Sequence, residues 1–348
     1  MTRKQWDLTG EIGDFDYAEA GARPGTWAGR EATYLEGFHT IPVLLRDEIS
    51  FDSYRIEAEV ASPGPYGFIG LAFGARDIGN YELVYISPGQ ETSPGDIQYD
   101  PIMNGSSTWQ IYQGPAYQAF APFPAGEWIR FALEVQPHGV SVYVNETDSP
   151  QLVITNLQHG RAAGRVGFWG NFPGYIRNFT VEEIRLQPLA RTETDIGRLA
   201  GDSYITEWSV SEPYLPPADG DGTYEGAWTT HRVEENGCLN LNRLYAAGEK
   251  GTAVQAKCSF TLPEAAESVL SFGFSDGVRL WVNDALVYEG VSLWDPPGSD
   301  GRIRADQTVP VKWRAGVNTV RTEVTNQECM FGWGLAVKTG LPPVRFTP

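Results

Sequence analysis

The sequence lacks any excess of positive charge. Its 26 Lys and Arg residues stand against 44 Asp and Glu, which gives 348 residues a formal net charge of −18 at pH 7. Such a chain repels a phosphate backbone and an anionic lipid surface. No apolar run approaches the roughly 20 residues that a membrane-spanning helix requires. We therefore expect neither nucleic acid nor a membrane as a partner.

Cysteine is also scarce. Cys238, Cys258 and Cys329 all lie in the C-terminal half, and their odd number and irregular spacing predict free thiols rather than a disulfide framework. The first residues include Arg3 and Lys4, but no apolar segment follows them, so no signal peptide is visible. This predicts a cytoplasmic location, with secretion left open if the sequence has been trimmed.

The common catalytic motifs are missing as well. We find no Gly-x-Ser-x-Gly elbow, phosphate-binding loop or dinucleotide fingerprint. The four histidines occur in unrelated segments without the spacing of a zinc site, so no cofactor is predicted. His39 follows Gly37 and Phe38 near a predicted strand, where it could either reach a ligand pocket or occupy a turn.

What the sequence does contain is typical of short strands joined by turns. There are 39 glycines, 24 prolines and 12% aromatic residues. Runs in which apolar and polar residues alternate predict strands in both halves of the chain. Alternation stops over residues 187–202, which predicts a connection between domains. We expect an all-β protein of two β-sandwich domains, residues 1–186 and 203–348, with very little helix.

The first half resembles a known superfamily. GREATYLE (residues 29–36) and FDSYRIEAEV (51–60) resemble the opening strands of concanavalin A-like and laminin G-like domains. The resemblance continues through NYELVY (80–85), QYDPIMNG (98–105), WQIYQGP (109–115) and GEWIR (126–130), and it spans about residues 25–186. It implies a jelly-roll sandwich and a carbohydrate-related role. The superfamily includes lectins, binding modules, glucanases and lyases, so the fold does not choose among them.

The second half is similar to another group of jelly rolls. FSDGVRLWVND (residues 274–284) and AGVNTV (315–320) are similar to galactose-binding-like domains that accompany glycoside hydrolases. We transfer no functional residue from this resemblance, because turn chemistry alone explains the residues that carry it.

A long segment, residues 98–123, mixes aromatic and amide side chains without simple alternation. Such a mixture suits a sugar, whose C–H faces pack on aromatic rings while its hydroxyls bond to amides. The alternative is that these rings pack the segment onto the sandwich. The predicted ligand-binding residues here are Tyr99, Asn104, Trp109, Tyr112 and Tyr117.

Carboxylates near this segment are the catalytic candidates. Glu82 lies among apolar residues of a predicted central strand, where burial would raise its pKa and suit it to acid–base chemistry, although pairing with Arg76 would make it structural. Asp96 and Asp100 flank the aromatic segment and could supply a second carboxylate.

A second carboxylate pattern lies on an earlier predicted strand. Arg55, Glu57 and Glu59 share the period-two spacing of glucanase carboxylates, but the glucanase pattern Glu-x-Asp-x-Glu is absent. A solvated outer sheet face explains these three residues.

One segment has oxygen ligands at a spacing that suits a hard cation. Asp219, Asp221 and Glu225 could hold a structural calcium ion, although the remainder of an EF-hand loop is absent and a solvated turn explains them equally.

Three functions follow. The first is carbohydrate binding, and the second is a glycoside hydrolase or lyase that uses Glu82 with Asp100 or Asp96. The third is an intracellular enzyme that acts on a small metabolite in an aromatic pocket.

Overall fold

The protein consists of two compact units. The computed structural model describes residues 2–10, 13–17, 20–37, 41–90, 93–145, 147–217 and 224–348. Unit 1 is Met1–Thr192 and unit 2 is Glu193–Pro348. Both are built from antiparallel sheets, so the all-β class and the two sandwiches are confirmed.

Unit 1 contains two sheets. The eight-stranded sheet has the order β13-β12-β11-β6-β15-β4-β3, with β1 also paired to β15, and the seven-stranded sheet has the order β10-β9-β8-β7-β14-β5-β2. In chain order the strands are β1 (Arg3–Trp6), β2 (Phe15–Asp16), β3 (Ala22–Trp27), β4 (Arg30–Leu35), β5 (Val43–Leu45), β6 (Tyr54–Ala61), β7 (Phe68–Asp77), β8 (Asn80–Gln90), β9 (Ser93–Tyr99), β10 (Gln118–Phe120), β11 (Ile129–Gln136), β12 (Gly139–Val144), β13 (Leu152–Ile154), β14 (Arg165–Asn171) and β15 (Gly174–Glu183).

The two sheets of unit 1 enclose an apolar core. Ile56, Ala58 and Val60 alternate along β6 and are fully buried, as the period-two pattern requires. The rings of Phe168 on β14 and Phe179 on β15 lie 5.8 Å apart and join the two sheets. Side chains of the intervening positions on β6 therefore face away from the core.

Unit 2 has a six-stranded sheet of order β17-β16-β19-β26-β21-β22, a four-stranded sheet of order β18-β27-β20-β25, and a two-stranded ribbon. In chain order its elements are α1 (Ile196–Gly201), β16 (Glu207–Ser211), β17 (Trp228–Arg232), β18 (Cys238–Asn240), α2 (Leu241–Leu244), β19 (Ala253–Leu262), β20 (Ala266–Ser275), β21 (Gly277–Val282), β22 (Ala285–Val291), β23 (Trp294–Asp295), β24 (Ser299–Asp300), β25 (Gln307–Trp313), β26 (Gly316–Thr325) and β27 (Gly334–Lys338).

Unit 2 has a core of its own. The rings of Phe260 on β19 and Trp313 on β25 lie 5.2 Å apart between its two main sheets. Cys238 and Cys258 are buried, Cys329 is half-buried, and all three are free thiols, as predicted. Within the described ranges, no helix has the length and apolar character needed to cross a bilayer.

The predicted connection, residues 187–202, is divided between the units. The backbone N–H of Leu189 donates to Gln136 of unit 1 over 2.8 Å. Further along, α1 begins after Asp195, whose carboxylate accepts the N–H of Arg198, and α1 places Leu199 in the core of unit 2. The helix was not predicted, because a single short turn leaves no periodic pattern in the sequence.

Candidate functional site

Glu82, the predicted catalytic carboxylate, is fully buried on β8. Its Oε2 accepts the Tyr99 hydroxyl over 2.5 Å, and its Oε1 accepts the backbone N–H of His159 over 2.8 Å. The Tyr99 oxygen in turn accepts the N–H of Gln158 over 2.8 Å. This network ties β8 and β9 to the segment after β13. Arg76, the alternative partner of Glu82, pairs instead with Asp77.

The neighbouring carboxylate, Asp100, is equally enclosed. Its two oxygens accept the Ser107 hydroxyl over 2.7 Å and the N–H of Thr108 over 2.6 Å. These bonds fold the chain after β9 back on itself. Glu82 and Asp100 are both buried, so neither is exposed at the surface of unit 1. Their catalytic role stays a prediction.

The aromatic residues predicted to contact a ligand also lie mostly inside unit 1. Tyr99 and Tyr112 are fully buried, and Tyr117 is 4% exposed. The rings of Tyr99 and Tyr117 stack at 6.2 Å, and the Tyr112 ring meets that of Tyr117 edge-on at 5.3 Å. These three rings pack the long segment onto the sandwich, which is the alternative that the sequence left open.

The remaining predicted residues are dispersed. Trp109 and Asn104 are half-buried, and Asp96 is exposed on β9. His39, Asp219 and Asp221 lie outside the described residues, and Glu225 is exposed. Among the residues that the structure describes, no group of three or more His, Cys, Asp or Glu side chains is placed to hold a metal ion. The calcium site stays a prediction.

The outer side of the seven-stranded sheet is covered. Tyr81, Leu83 and Tyr85 of β8 form an apolar cluster with Ile102 and Trp169, and Ile102 bridges to Tyr81 through backbone hydrogen bonds. The start of the segment after β9 therefore packs on this side of β8, whereas Tyr99 pairs with Val84 and faces the opposite side.

The outer side of the eight-stranded sheet is polar. Three neighbouring strands contribute long charged side chains to it because alternate positions on each strand are turned away from the core. Register pairs Arg130 of β11 and Arg177 of β15 with Glu59 of β6, one on each side. We call this surface the charged face; its members are Arg55, Glu57, Glu59, Arg130, Glu134 and Arg177.

Ion pairs connect the charged face from strand to strand. Arg55 donates to Glu57 over 3.0 Å and to Glu134 over 2.9 Å. Arg130 donates to Glu57 through both Nε, over 3.0 Å, and Nη2. Burial alone would raise the pKa of Glu57, but the hydrogen bonds from Arg130 and Arg55 hold that pKa below its ordinary value. Glu57 is therefore ionised at neutral pH and fixes two guanidinium groups.

Glu59 has a separate set of partners. Its Oε1 accepts the side-chain N–H of Asn178 over 2.7 Å, and its Oε2 accepts Nη1 of Arg30 over 3.3 Å and lies 3.6 Å from Nε of Arg177. Asn178 reaches it because β15 contains an irregularity between Arg177 and Thr180. Two hydrogen-bond donors and the nearby guanidinium group of Arg177 thus surround one half-buried carboxylate.

A pocket of about 340 Å³ opens on the charged face. Trp128 directly precedes β11, and the β11–β12 hairpin returns the chain so that the N–H of Asn145 donates to the Arg130 carbonyl over 2.7 Å. We call this cavity the Trp128 pocket; it is lined by Arg30, Glu59, Trp128, Ile129, Arg130 and Asn145.

Trp128 is half-buried at this pocket. The guanidinium carbon of Arg177 lies 5.9 Å from the centre of its ring. Its indole Nε1 is shielded from solvent and has no hydrogen-bond acceptor among the described residues. A buried N–H without an acceptor is uncommon, because it loses the hydrogen bond that water would provide.

An aromatic cluster continues the same sheet on the far side of β15. The rings of Trp27 and Tyr175 stack at 5.5 Å, and the rings of Tyr34 and Tyr175 lie 5.1 Å apart. Arg23 places its guanidinium carbon 4.6 Å from the centre of the Tyr34 ring. Aromatic and charged side chains therefore share one sheet.

The Trp128 pocket was not predicted from the sequence. The period-two spacing predicts that Glu57 and Glu59 lie on an outer face, which the structure confirms, but a solvated surface was expected there. Arg30, Trp128 and Asn145 are far apart in the chain and meet only through strand pairing. One feature of the sequence could have indicated the pocket. Trp128 and Arg130 flank the start of a strand, and the strand that pairs with it carries Glu59.

Comparison with known proteins gives similarity in structure only, since neither a protein family nor a curated protein matches the chain. The chain is similar to the carbohydrate-binding module CBM66 of Bacillus subtilis, with 15% identity over 47% of this chain and 96% of the module, at a TM-score of 0.33. It is similar to sheep galectin-11, with 14% identity over 41% of this chain and 96% of the galectin, at 0.30.

A third solved structure is one domain of an arabinanase. Domain 4 of AbnA, an extracellular arabinanase of Geobacillus stearothermophilus solved with arabinotriose, has 19% identity over 54% of this chain and 84% of the domain, at a TM-score of 0.31. At these values the comparisons transfer no site residue to this chain.

Proposed function

We propose that unit 1 binds a saccharide on its charged face, with the Trp128 pocket as the centre of the site. The observation that carries this proposal is the convergence of one indole, two guanidinium groups, one carboxylate and one amide on a single cavity of about 340 Å³. Ligand pockets typically combine an apolar surface with a few placed polar groups in a cavity of roughly this size.

The polar groups of the pocket match the hydroxyls of a sugar. Arg30 and Arg130 offer N–H donors, and Glu59 offers acceptor oxygens, so a pair of neighbouring hydroxyls can both accept and donate. Trp128 supplies the aromatic surface on which C–H groups pack. The carboxylates are already compensated by arginines, so a neutral ligand enters without leaving a buried charge unpaired.

The same contacts favour binding over hydrolysis. A general acid needs a carboxyl group whose pKa is raised towards neutrality, as happens in an apolar pocket. On the charged face the pKa of Glu57 is instead lowered by its arginine partners. Glu57 is therefore a poor general acid, which favours binding over hydrolysis on this face.

The test is calorimetric titration of the whole chain with neutral oligosaccharides of arabinose, xylose, glucose, galactose and mannose. For the oligosaccharide that binds, Trp128→Ala should weaken affinity by about 1–3 kcal/mol, since a central aromatic contact is lost. Arg30→Met should also weaken binding while leaving stability unchanged, because the side chain is 53% exposed and its ion pair is superficial.

Trp109→Ala is the matched control. It replaces a half-buried tryptophan of unit 1 that lies in the segment first predicted to bind a ligand. Affinity should stay within a factor of two of the parent chain. If Trp109→Ala abolishes binding while Trp128→Ala and Arg30→Met do not, the charged face is not the site and the segment after β9 is.

A further inference from the structure

The outer side of the six-stranded sheet of unit 2 places two cations opposite each other. Lys257 of β19 pairs in register with Arg321 of β26, and Arg321 pairs in register with Trp281 of β21. Like charges at directly opposed positions repel and destabilise a sheet. We call Lys257 and Arg321 the cation pair. Such a pair is unexpected in a chain whose carboxylates outnumber its cations by 44 to 26.

Neighbouring carboxylates do not resolve this repulsion at Lys257. Glu323, which is 2% exposed, accepts Nε of Arg279 over 2.9 Å and also accepts the Tyr214 hydroxyl. Within the described part of the chain, Lys257 makes no ion pair. Glu323 is therefore engaged with Arg279, and the ammonium group of Lys257 is left without a counter-charge there.

Aromatic rings hold both members of the cation pair. The Lys257 ammonium lies 3.6 Å from the centre of the Trp228 ring, and the Arg321 guanidinium carbon lies 3.8 Å from the centre of the Trp281 ring. Contact with a ring face attracts a cation without neutralising it. Lys257 is thus held beside a ring while its own charge remains.

A cavity of about 300 Å³ adjoins the cation pair. Besides Lys257 and Arg321 it is lined by Trp281, Thr319 and Asp284, of which Asp284 is exposed. Burial, followed by the charge of Arg321, lowers the pKa of Lys257, and burial also lowers the pKa of Arg321. An anion bound between the two side chains would raise both pKa values, because it would stabilise the charged forms.

We propose that this cavity is a second binding site, in which Lys257 and Arg321 together hold a carboxylate or sulfate group of the ligand. Arg321 can donate two parallel N–H bonds to such a group, and Lys257 supplies a point charge beside it. The Thr319 hydroxyl and the Asp284 carboxylate are placed to bond hydroxyls if the anion is carried by a sugar. The site lies in unit 2, so its test is independent of the test of the charged face of unit 1.

Nuclear magnetic resonance of the lysines tests this proposal on the whole chain. The five lysines, at positions 4, 250, 257, 312 and 338, are labelled as ¹³C-dimethyl-lysine, which gives each a resolvable signal. The probes are D-galacturonate, D-galactose and inorganic sulfate at constant ionic strength. The Lys257 signal should move saturably with galacturonate or sulfate and not with galactose, and its titration should shift to higher pH when the anion is bound.

Two other lysines serve as internal references. Lys338 also lies over a ring, 4.5 Å from the centre of Tyr204, and Lys312 forms an exposed ion pair with Glu267. Their signals should stay fixed, and they report whether unit 2 is folded in each variant. Arg321→Gln should weaken anion binding at least tenfold, whereas Arg232→Gln, which alters an exposed arginine on the same sheet, should not.

The outcomes separate the sources of the anion. A response to galacturonate alone assigns the site to a sugar-borne carboxylate, and a response to sulfate as well means that the anionic group alone suffices. No movement of Lys257 with any anion, or equal movement of Lys257, Lys312 and Lys338, would overturn the proposal.

Discussion

At the scale of single residues, the hydroxyl of Tyr99 joins two parts of unit 1. It donates to Glu82 and accepts from the backbone of Gln158, and all three residues are buried. Burial, followed by the charge of Glu82 and the hydrogen bond to it, raises the pKa of Tyr99, so the hydroxyl keeps its proton and remains a donor. Glu82 is therefore part of a buried hydrogen-bond network that has a structural role, whereas its role in acid–base catalysis stays a prediction.

Tyr99→Phe should destabilise unit 1 by about 1.5–3 kcal/mol, because a charged acceptor and a backbone donor each lose a partner without access to water. Urea denaturation followed by fluorescence measures the change. Tyr143→Phe is the matched control, since the Tyr143 hydroxyl also donates to a glutamate, Glu134, over 3.0 Å, but is only half-buried. Its loss should cost less than about 0.5 kcal/mol. Equal losses in both variants would contradict the structural role of Tyr99.

At the scale of strands, β14 and β5 approach each other at a glycine. A Cβ atom added to Gly167 would lie 1.8 Å from the carbonyl oxygen of Val43, which precedes Leu44, the register partner of Gly167 on β5. No side chain fits there without moving the backbone of β5. The strand pair therefore depends on a residue without a side chain.

Gly167→Ala should lower the free energy of unfolding by about 1–3 kcal/mol or more, as overpacking of a close backbone contact does. Thermal denaturation of the purified variant measures the loss. Gly64→Ala is the control, because a Cβ atom at that turn position meets nothing within 4 Å. A Gly167→Ala variant as stable as the parent chain would mean that β5 can shift away freely.

Strands were the part of the fold that the sequence predicted well. Residues 54–60 were expected to form a strand from their alternation, and β6 is Tyr54–Ala61; residues 128–135 correspond to β11 at Ile129–Gln136. Alternation is a local property, so it is visible without knowledge of the partner strand. It also placed Glu57 and Glu59 on the face opposite to Ile56.

The proposed ligand site was harder to predict from the sequence. Tyr99 and Tyr112 look like ligand-binding aromatics when read beside their amide neighbours, and only the folding of residues 100–117 over the sheet shows that they are enclosed. Asn145 and Arg30 line the Trp128 pocket only because strands that are distant in the chain pair with each other. Long-range pairing of this kind leaves no local pattern.

At the scale of the whole molecule, the chain divides between Thr192 and Glu193 into units with separate cores. Residues 1–192 and residues 193–348 should each fold when expressed alone, since each is long enough to bury a core of its own. Size-exclusion chromatography and cooperative urea unfolding of the two fragments test this. A fragment that is expanded or unfolds without cooperativity would show that it depends on the other half of the chain.

The ion pairs of the charged face have a thermodynamic consequence. Arg55 and Arg130 are held by Glu57, and Arg30 by Glu59, before any ligand arrives. Freezing a long side chain on association usually costs about 0.5–1.5 kcal/mol in lost rotational freedom. In this sheet much of that ordering is already complete when the chain folds, so the proposed saccharide would meet a rigid template, and its binding should draw on enthalpy with little conformational adjustment.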